Sequence, residues 1–338
     1  MAGAGLSGRP APGTIARPPR HSTSSWPLAD RLAYALCWVT GIALCLIAVG
    51  IVAYMLVKGI SELHWKLFLQ APSPSLHQSQ AGGFSDPLIG TFIVTAIGIA
   101  IAGPLGVGVA AWLVEYGQPR WLARAVDSAI EVLAGVPSIV LALFGLLLFA
   151  RGFFSFLSGS TNGGSVSGKS FLAAGVLMGV LALPLVVGAT REALTQLPGR
   201  HREASFALGK TRATTIRHVL LPSIRPGIAS GIVLGMGRII GDTAIIVVVL
   251  GSTLKNQGAG GAPVLSTLRG VGSTLTSYVY NNSPAGEGNA PQKAYAAAFV
   301  LLVIVLALNA LVTRLTRGRE HDRARRTFLR LAWAPWTR

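Results

Sequence analysis

Residues 228–250 read IASGIVLGMGRIIGDTAIIVVVL, apolar or small throughout except for Arg238, Asp242 and two hydroxyl residues. A helix of this length, at about 1.5 Å per residue, crosses the ~30 Å hydrocarbon core of a bilayer. The run therefore predicts a membrane span, and with it a membrane fold. Arg238 falls about 15 Å along such a helix, near the midplane. Asp242 follows one turn later on the same face, where the two would pair. Each charge at that depth costs about 2.5–3.5 kcal/mol on insertion scales, so retaining both points to a task. Gly235, Gly237 and Gly241 would let a neighbouring helix approach and leave room beside the guanidinium.

Outward from this stretch, the same pattern recurs. Five further runs, residues 33–57, 88–114, 132–150, 171–190 and 295–312, are long enough to span. None of them carries a charge in its apolar body. Only 12% of the 338 residues are charged and 51% are hydrophobic, against about 25% charged in soluble domains. The chain is expected to be an all-α integral membrane protein with six transmembrane helices. Pro104, Pro137 and Pro184 interrupt or end three runs, as neighbouring helices permit. Gly98, Gly103, Gly106, Gly108, Gly175 and Gly179 predict close helix packing. Cys37 and Cys45 lie within the first run and read as packing residues, with no metal-ligand partner nearby.

A formal charge of +17 invites a nucleic-acid reading. The placement of the charges removes the need for it. With the N-terminus in the cytoplasm, the inside segments carry 21 Lys and Arg and the outside loops 7. That is the positive-inside signature, and it puts both termini inside. Residues 1–26 read as a disordered basic cytoplasmic arm. The charge-free run 33–57 is too long for a signal-peptide core, so it reads as a retained first helix. Residues 27–87 form that helix and an outer loop, 88–317 a core of five further helices with the inside loop 191–226, and 318–338 a basic tail of Arg mixed with Trp and Phe, suited to a membrane interface.

Gly163-Gly-Ser-Val-Ser-Gly168-Lys169-Ser170 satisfies the P-loop pattern letter for letter. The mechanism behind that pattern needs a buried strand before the loop and a metal-binding carboxylate later. The segment upstream leaves a membrane run, and the charge count puts the loop outside. It reads as a flexible Gly/Ser loop. No His/Asp/Glu cluster or activated Ser or Cys supports an enzyme.

The longest inside loop, residues 191–226, is the second informative stretch. Glu203-Ala204-Ser205-Phe206-Ala207-Leu208 favours a short helix stopped at Gly209. Residues 211–221 favour a second, stopped by Pro222 and Pro226. The spacing is Glu203-Ala-Ser, three residues, Gly209, nine residues, then Val219-Leu-Leu221-Pro222.

That spacing resembles the EAA loop of permease subunits of bacterial ABC importers, with Ser205 for the third small residue and Val219 for Ile. The resemblance implies that the loop docks on an ATPase subunit, with Glu203, Ala204, Ser205, Gly209 and Pro222 in the coupling motif. The chain from about Gly82 to Arg317 further resembles the PstA-type phosphate permeases. The matching pieces are Gly82-Gly83, Pro104-Leu-Gly106, Val114-Glu115-Tyr116-Gly117, Pro137-Ser138-Ile139-Val140, Arg191-Glu-Ala-Leu194 and Gly237-Arg238-Ile-Ile-Gly241-Asp242-Thr243-Ala244. That family usually has Glu where this chain has Asp242, one methylene shorter. The PstC-type permeases share several of these motifs.

The resemblance implies a type I importer permease of the bacterial inner membrane that performs no chemistry and needs no cofactor. Its partners would be a PstC-type permease, an ATPase dimer and an extracytoplasmic phosphate-binding protein. Arg238, Asp242 and Thr243 are the expected pathway residues. A guanidinium fork fits phosphate oxygens. A carboxylate accepts a hydrogen bond from protonated phosphate and repels sulfate. The rivals are a permease for another oxyanion (sulfate, molybdate or phosphonate) and an ion-driven secondary carrier, which would leave the loop spacing to chance.

Overall fold

In the computed structural model, the described residues are 27–60, 63–72, 82–150, 169–251, 263–284, 286 and 290–332. They are almost wholly helical and fall into two compact units, Met1–Tyr54 and Met55–Arg338. The first unit is the greater part of α1 (Leu28–Gly59), exposed at every position from 28 to 51. Cys37 and Cys45 are exposed free thiols on it, not core packing residues.

The second unit runs through α2 (Trp65–Leu69), α3 (Ser85–Ala111), α4 (Arg120–Gly135), α5 (Ser138–Ala150) and α6 (Phe171–Thr195). It continues with α7 (Arg200–Ala207), α8 (Arg212–Thr215), α9 (Leu221–Ser223) and α10 (Arg225–Gly241). On the far side of the apolar stretch come α11 (Pro263–Arg269), α12 (Leu275–Asn282) and α13 (Pro291–Ala332).

The expected six crossings correspond to four unbroken candidate spans, in α1, α3, α6 and α13, and two bent pairs. One pair is α4 with α5, bent by 107°; the other is Arg212–Ser223 with α10, bent by 71°. The run 132–150 is therefore interrupted at Pro137, as expected, but by a sharp turn. Val136 is extended, as the residue before Pro137 prefers, and the chain turns there. The 13-residue α5 covers only about 20 Å by itself. Pro104 and Pro184 stay inside α3 and α6.

The core is the contact of α3 with α6 and of α6 with α10. A Cβ at Gly98 would come within 3.5 Å of the Gly175 carbonyl, and one at Gly179 within 3.0 Å of the Gly98 carbonyl. Gly106 meets Val186 in the same seam, whereas Gly103 and Gly108 have nothing within 4 Å. Further along the same stripe of α6, Gly227 faces Ala193, Gly231 faces Ala189 and Val186, and Gly235 faces Val186 and Ala182. Small residues every fourth position let these backbones touch. Ser170, the last residue of the P-loop-like string, caps α6 by accepting from Ala173 N at 3.0 Å. Residues 163–168 lie outside the described residues.

Residues 252–293, expected as an outer loop, hold α11 and α12 in their described part. The Thr274–Ser277 capping box starts α12. Tyr278 packs edge-on against Phe84 in a cluster with Leu67, Leu275, Ala297 and Val300. Burial there pushes its phenol up to about 12, so it stays neutral and acts as an apolar wedge.

Candidate functional site

The stretch around Arg238 is not one helix. α10 ends at Gly241, and Asp242 is extended at φ −82°, ψ 124°. Helical structure resumes at residue 244 and closes in a π turn, Ile246–Leu250, which Gly251 ends at φ +91°. The Asp242 carboxylate caps this second piece, accepting from Ile245 N at 3.1 Å. Such a cap satisfies one of the amides that a helix start leaves open. On the other side of the break, the freed Ile240 carbonyl accepts from Thr276 Oγ1 at 2.8 Å. Thr276 belongs to α12, and α12 is fixed to α3 by the Leu275 N to Thr91 Oγ1 bond of 2.9 Å. A break inside an apolar run is tolerable because its polar backbone is answered from the side.

This revises the expected Arg238–Asp242 pair. Among the described residues, Arg238 and Asp242 are not joined by an ion pair, whereas Arg191 and Asp127, and Arg202 and Glu115, are. Asp242 is buried with its carboxylate turned to its own backbone, while Arg238 is exposed. Once the helix stops at Gly241, Asp242 leaves the i+4 position that pairing requires. Thr243 lies in the break, its carbonyl receiving Val247 N at 3.0 Å.

The two faces of α10 differ sharply. Ala229, Gly231, Gly235, Met236, Ile239 and Ile240 are buried. Ser230, Leu234, Arg238 and Gly241 form an exposed stripe at helical spacing. Gly237 and Gly241 have nothing within 4 Å, so they flank the guanidinium with open space and are not packed on a neighbour. The expectation for Gly235 holds, since it touches α6.

The loop 191–226 folds as two short helices at an angle. α7 ends in a Schellman-type turn: Gly209 has φ +72°, its N–H reaches Phe206 O at 2.9 Å, and Lys210 N reaches Ser205 O at 3.2 Å. Glu203 and Ala204 are exposed on α7. Ser205 is buried, and its hydroxyl meets that of Thr215 at 2.8 Å, tying α7 to α8. Pro222 sits in α9 without ending the helical path, which continues from α8 through a π turn, Ile216–Leu220. A cavity of about 430 Å³ opens on this loop between Arg200, His201, Ala204, Leu208, Lys210 and Val219.

Beneath the loop, α3 ends in a π turn, Trp112–Tyr116, closed by Gly117 at φ +52°. That turn presents Glu115, whose side chain is 7% exposed, to Arg202: Nε and Nη2 lie 2.8 and 2.7 Å from Oε1. The same guanidinium donates to the carbonyls of Leu194 and Leu197 at 3.2 and 3.3 Å. Arg212 donates to the Glu115 carbonyl at 3.2 Å and lies over the Tyr116 ring. The sequence offered Glu115 only within Val-Glu-Tyr-Gly, and its partner is 87 residues away.

A helical membrane body with a broken helix that exposes Arg238 and an angled pair of short helices fits a transport subunit. The family of binding-protein-dependent transport system inner membrane components matches residues 102–321, and the chain belongs to it. It is thus the multi-pass inner-membrane permease component of an ABC transporter and not the ATPase. Phosphate transport system permease protein PstA 1 of Mycobacterium tuberculosis is 33% identical over 234 residues, 69% of this chain and 70% of that protein. Probable ABC transporter permease protein YqgI of Bacillus subtilis is 31% identical over 226 residues, 67% of this chain and 72% of that protein. The permease fold is also that of a bacterial alginate ABC transporter, at TM-score 0.59 and 16% identity over 86% of this chain and 95% of that one.

Proposed function

We propose that this chain is one of two permeases of an ATP-driven importer of inorganic phosphate. It would pair with a PstC-type permease on an ATPase dimer and receive phosphate from an extracytoplasmic binding protein, with both termini cytoplasmic. The observation that carries the reading is the exposed Arg238 guanidinium on the open stripe of α10, within the apolar run 228–250. A permanent cation there compensates a transient oxyanion. Relatives at 30–33% identity that are named phosphate permeases, of PstA and PstC type, support the choice of anion. Asp242, Thr243 and the break would complete the passage, the carboxylate favouring an anion that brings a proton to donate. Glu203, Ala204, Ser205, Gly209 and Pro222 would form the ATPase-coupling loop.

The test is Arg238→Gln in the complex reconstituted into liposomes. Uptake of phosphate should be abolished while membrane insertion and ATPase association persist; normal uptake would refute the site. Uptake by the unmodified complex that sulfate, and not phosphate, competes away would replace phosphate with another oxyanion.

A further inference from the structure

We propose that Glu115 and Arg202 form the mechanical joint of this permease, making both positioning residues that transmit the ATPase stroke to the membrane helices. The proposal rests on loop 191–226 being the ATPase-docking element, and not on the identity of the transported anion.

A loop that docks a motor transmits motion only if it is fastened to what must move. α7 is an eight-residue helix whose fastenings are few and specific. Arg202 sits on its first turn and reaches three places at once. It meets the Glu115 carboxylate on α3, the Leu194 carbonyl in the last turn of α6, and the Leu197 carbonyl beyond it. A guanidinium can do this because its five donors lie in one rigid plane. Lys would reach one of the three.

Glu115 is held just as specifically. The π turn gives α3 an extra residue per turn at its end, which re-aims the side chain, and π turns of this kind recur at functional positions. Its carboxylate takes Arg202 while its carbonyl takes Arg212, from the start of α8. One residue of α3 therefore grips both arms of the loop, on either side of the Gly209 turn. A small apolar cluster of Ala111, Leu194, Leu220 and Ile224 lies beside this clasp and keeps the four segments together.

The alternative is an ordinary structural ion pair that stabilises the loop. The two differ in what fails when the pair is cut. A stabilising pair lowers assembly and hydrolysis along with transport. A transmitting pair leaves the ATPase docked and turning over while transport per ATP falls.

The experiment uses the full complex, reconstituted with its partner permease, ATPases and binding protein, and measures anion uptake and ATP hydrolysis in the same vesicles. The variants are Glu115→Gln, Arg202→Gln and their double. Uptake per ATP should fall about tenfold in each single variant and no further in the double than in Arg202→Gln, because losing Arg202 already removes the contact with Glu115. Complex yield and hydrolysis should stay within about twofold. Uptake per ATP equal to the unmodified complex, multiplicative losses in the double, or hydrolysis falling in step with uptake would each overturn the proposal. Should Glu115→Gln fail to assemble, Arg212→Ala supplies the readout at an exposed position. It should lower uptake per ATP by about threefold, and an unchanged ratio would refute the clasp. An unmodified complex that hydrolyses ATP but moves a different anion would refute the phosphate reading and leave this one standing.

Discussion

Replacing Gly90 by Ala probes how the outer helices hold the break in α10. A Cβ at Gly90 would lie 2.1 Å from the Ser273 carbonyl oxygen and 3.1 Å from the Phe171 ring. The first contact is with backbone, so no change of rotamer relieves it. Ordinary contact begins near 3.4 Å, so α3 and the segment before α12 must separate by about 1.3 Å. The neighbouring Leu275 N to Thr91 Oγ1 bond, 2.9 Å long, does not survive an opening of that size. Forced overpacking costs about 1–3 kcal/mol and the lost buried bond about 0.5–1.5 kcal/mol. Ala gains about 0.5–1 kcal/mol over Gly in a helix, which offsets part of this.

The net loss, about 2–3 kcal/mol, corresponds to a fall of about 3–4 °C in the melting temperature of the purified complex. Thermal unfolding in detergent, followed by size-exclusion chromatography, measures it. Gly108→Ala is the matched control. Nothing lies within 4 Å of a Cβ there, so its melting temperature should equal or slightly exceed that of the unmodified chain. Transport should fall in Gly90→Ala, since Thr276 follows the displaced segment and supports the Ile240 carbonyl. A Gly90→Ala complex that melts with Gly108→Ala would refute the seating of this segment against α3.

Asp242→Asn should keep the cap on Ile245 N and cost little stability, while Asp242→Leu should cost about 1 kcal/mol. Both should weaken the preference for phosphate over sulfate in competition uptake, which separates capping from charge. Ser205→Ala should cost less than about 1 kcal/mol in thermal unfolding, because the Thr215 hydroxyl keeps its 3.0 Å bond to the Thr211 carbonyl. A larger loss would mean that Ser205 carries the α7–α8 angle alone.

The helices were legible because apolar length is set by the bilayer, a constraint written into every residue of a span. The loop pair was legible because Gly209 and its spacing are local. The breaks were harder. Pro104, Pro137 and Pro184 look alike as sequence, yet only Pro137 turns the chain, and it does so beside Arg120, Arg124, Asp127 and Glu131. Those charges place α4 as an amphipathic helix, and read together with the proline they announce a bend. At Gly241-Asp242-Thr243, helix-stop and helix-start signals stand side by side. Reading the charge at depth as half of an ion pair hid the cap. The Glu115–Arg202 joint was out of reach, since nothing in either neighbourhood specifies a partner 87 residues away.

The break and the joint belong to one mechanical unit, and α6 connects them. One stripe of α6 touches α3 through Gly175, Gly179 and Val186 and touches α10 through Ala182, Val186, Ala189 and Ala193. Backbones in such contact are bistable in their packing and not continuously deformable, so small shifts at one end are carried whole. The last carbonyls of α6 and the end of α3 are both held by Arg202. A displacement of α7 therefore pulls on two helices already locked together, and the second of them carries α10. The buried face of α10 must follow α6. Its other face, with Leu234, Gly237, Arg238 and Gly241, is open among the described residues. On the coupling proposed above, the charge would ride on the open face, and the break at Gly241, answered by Thr276 and Asp242, would be where the helix yields.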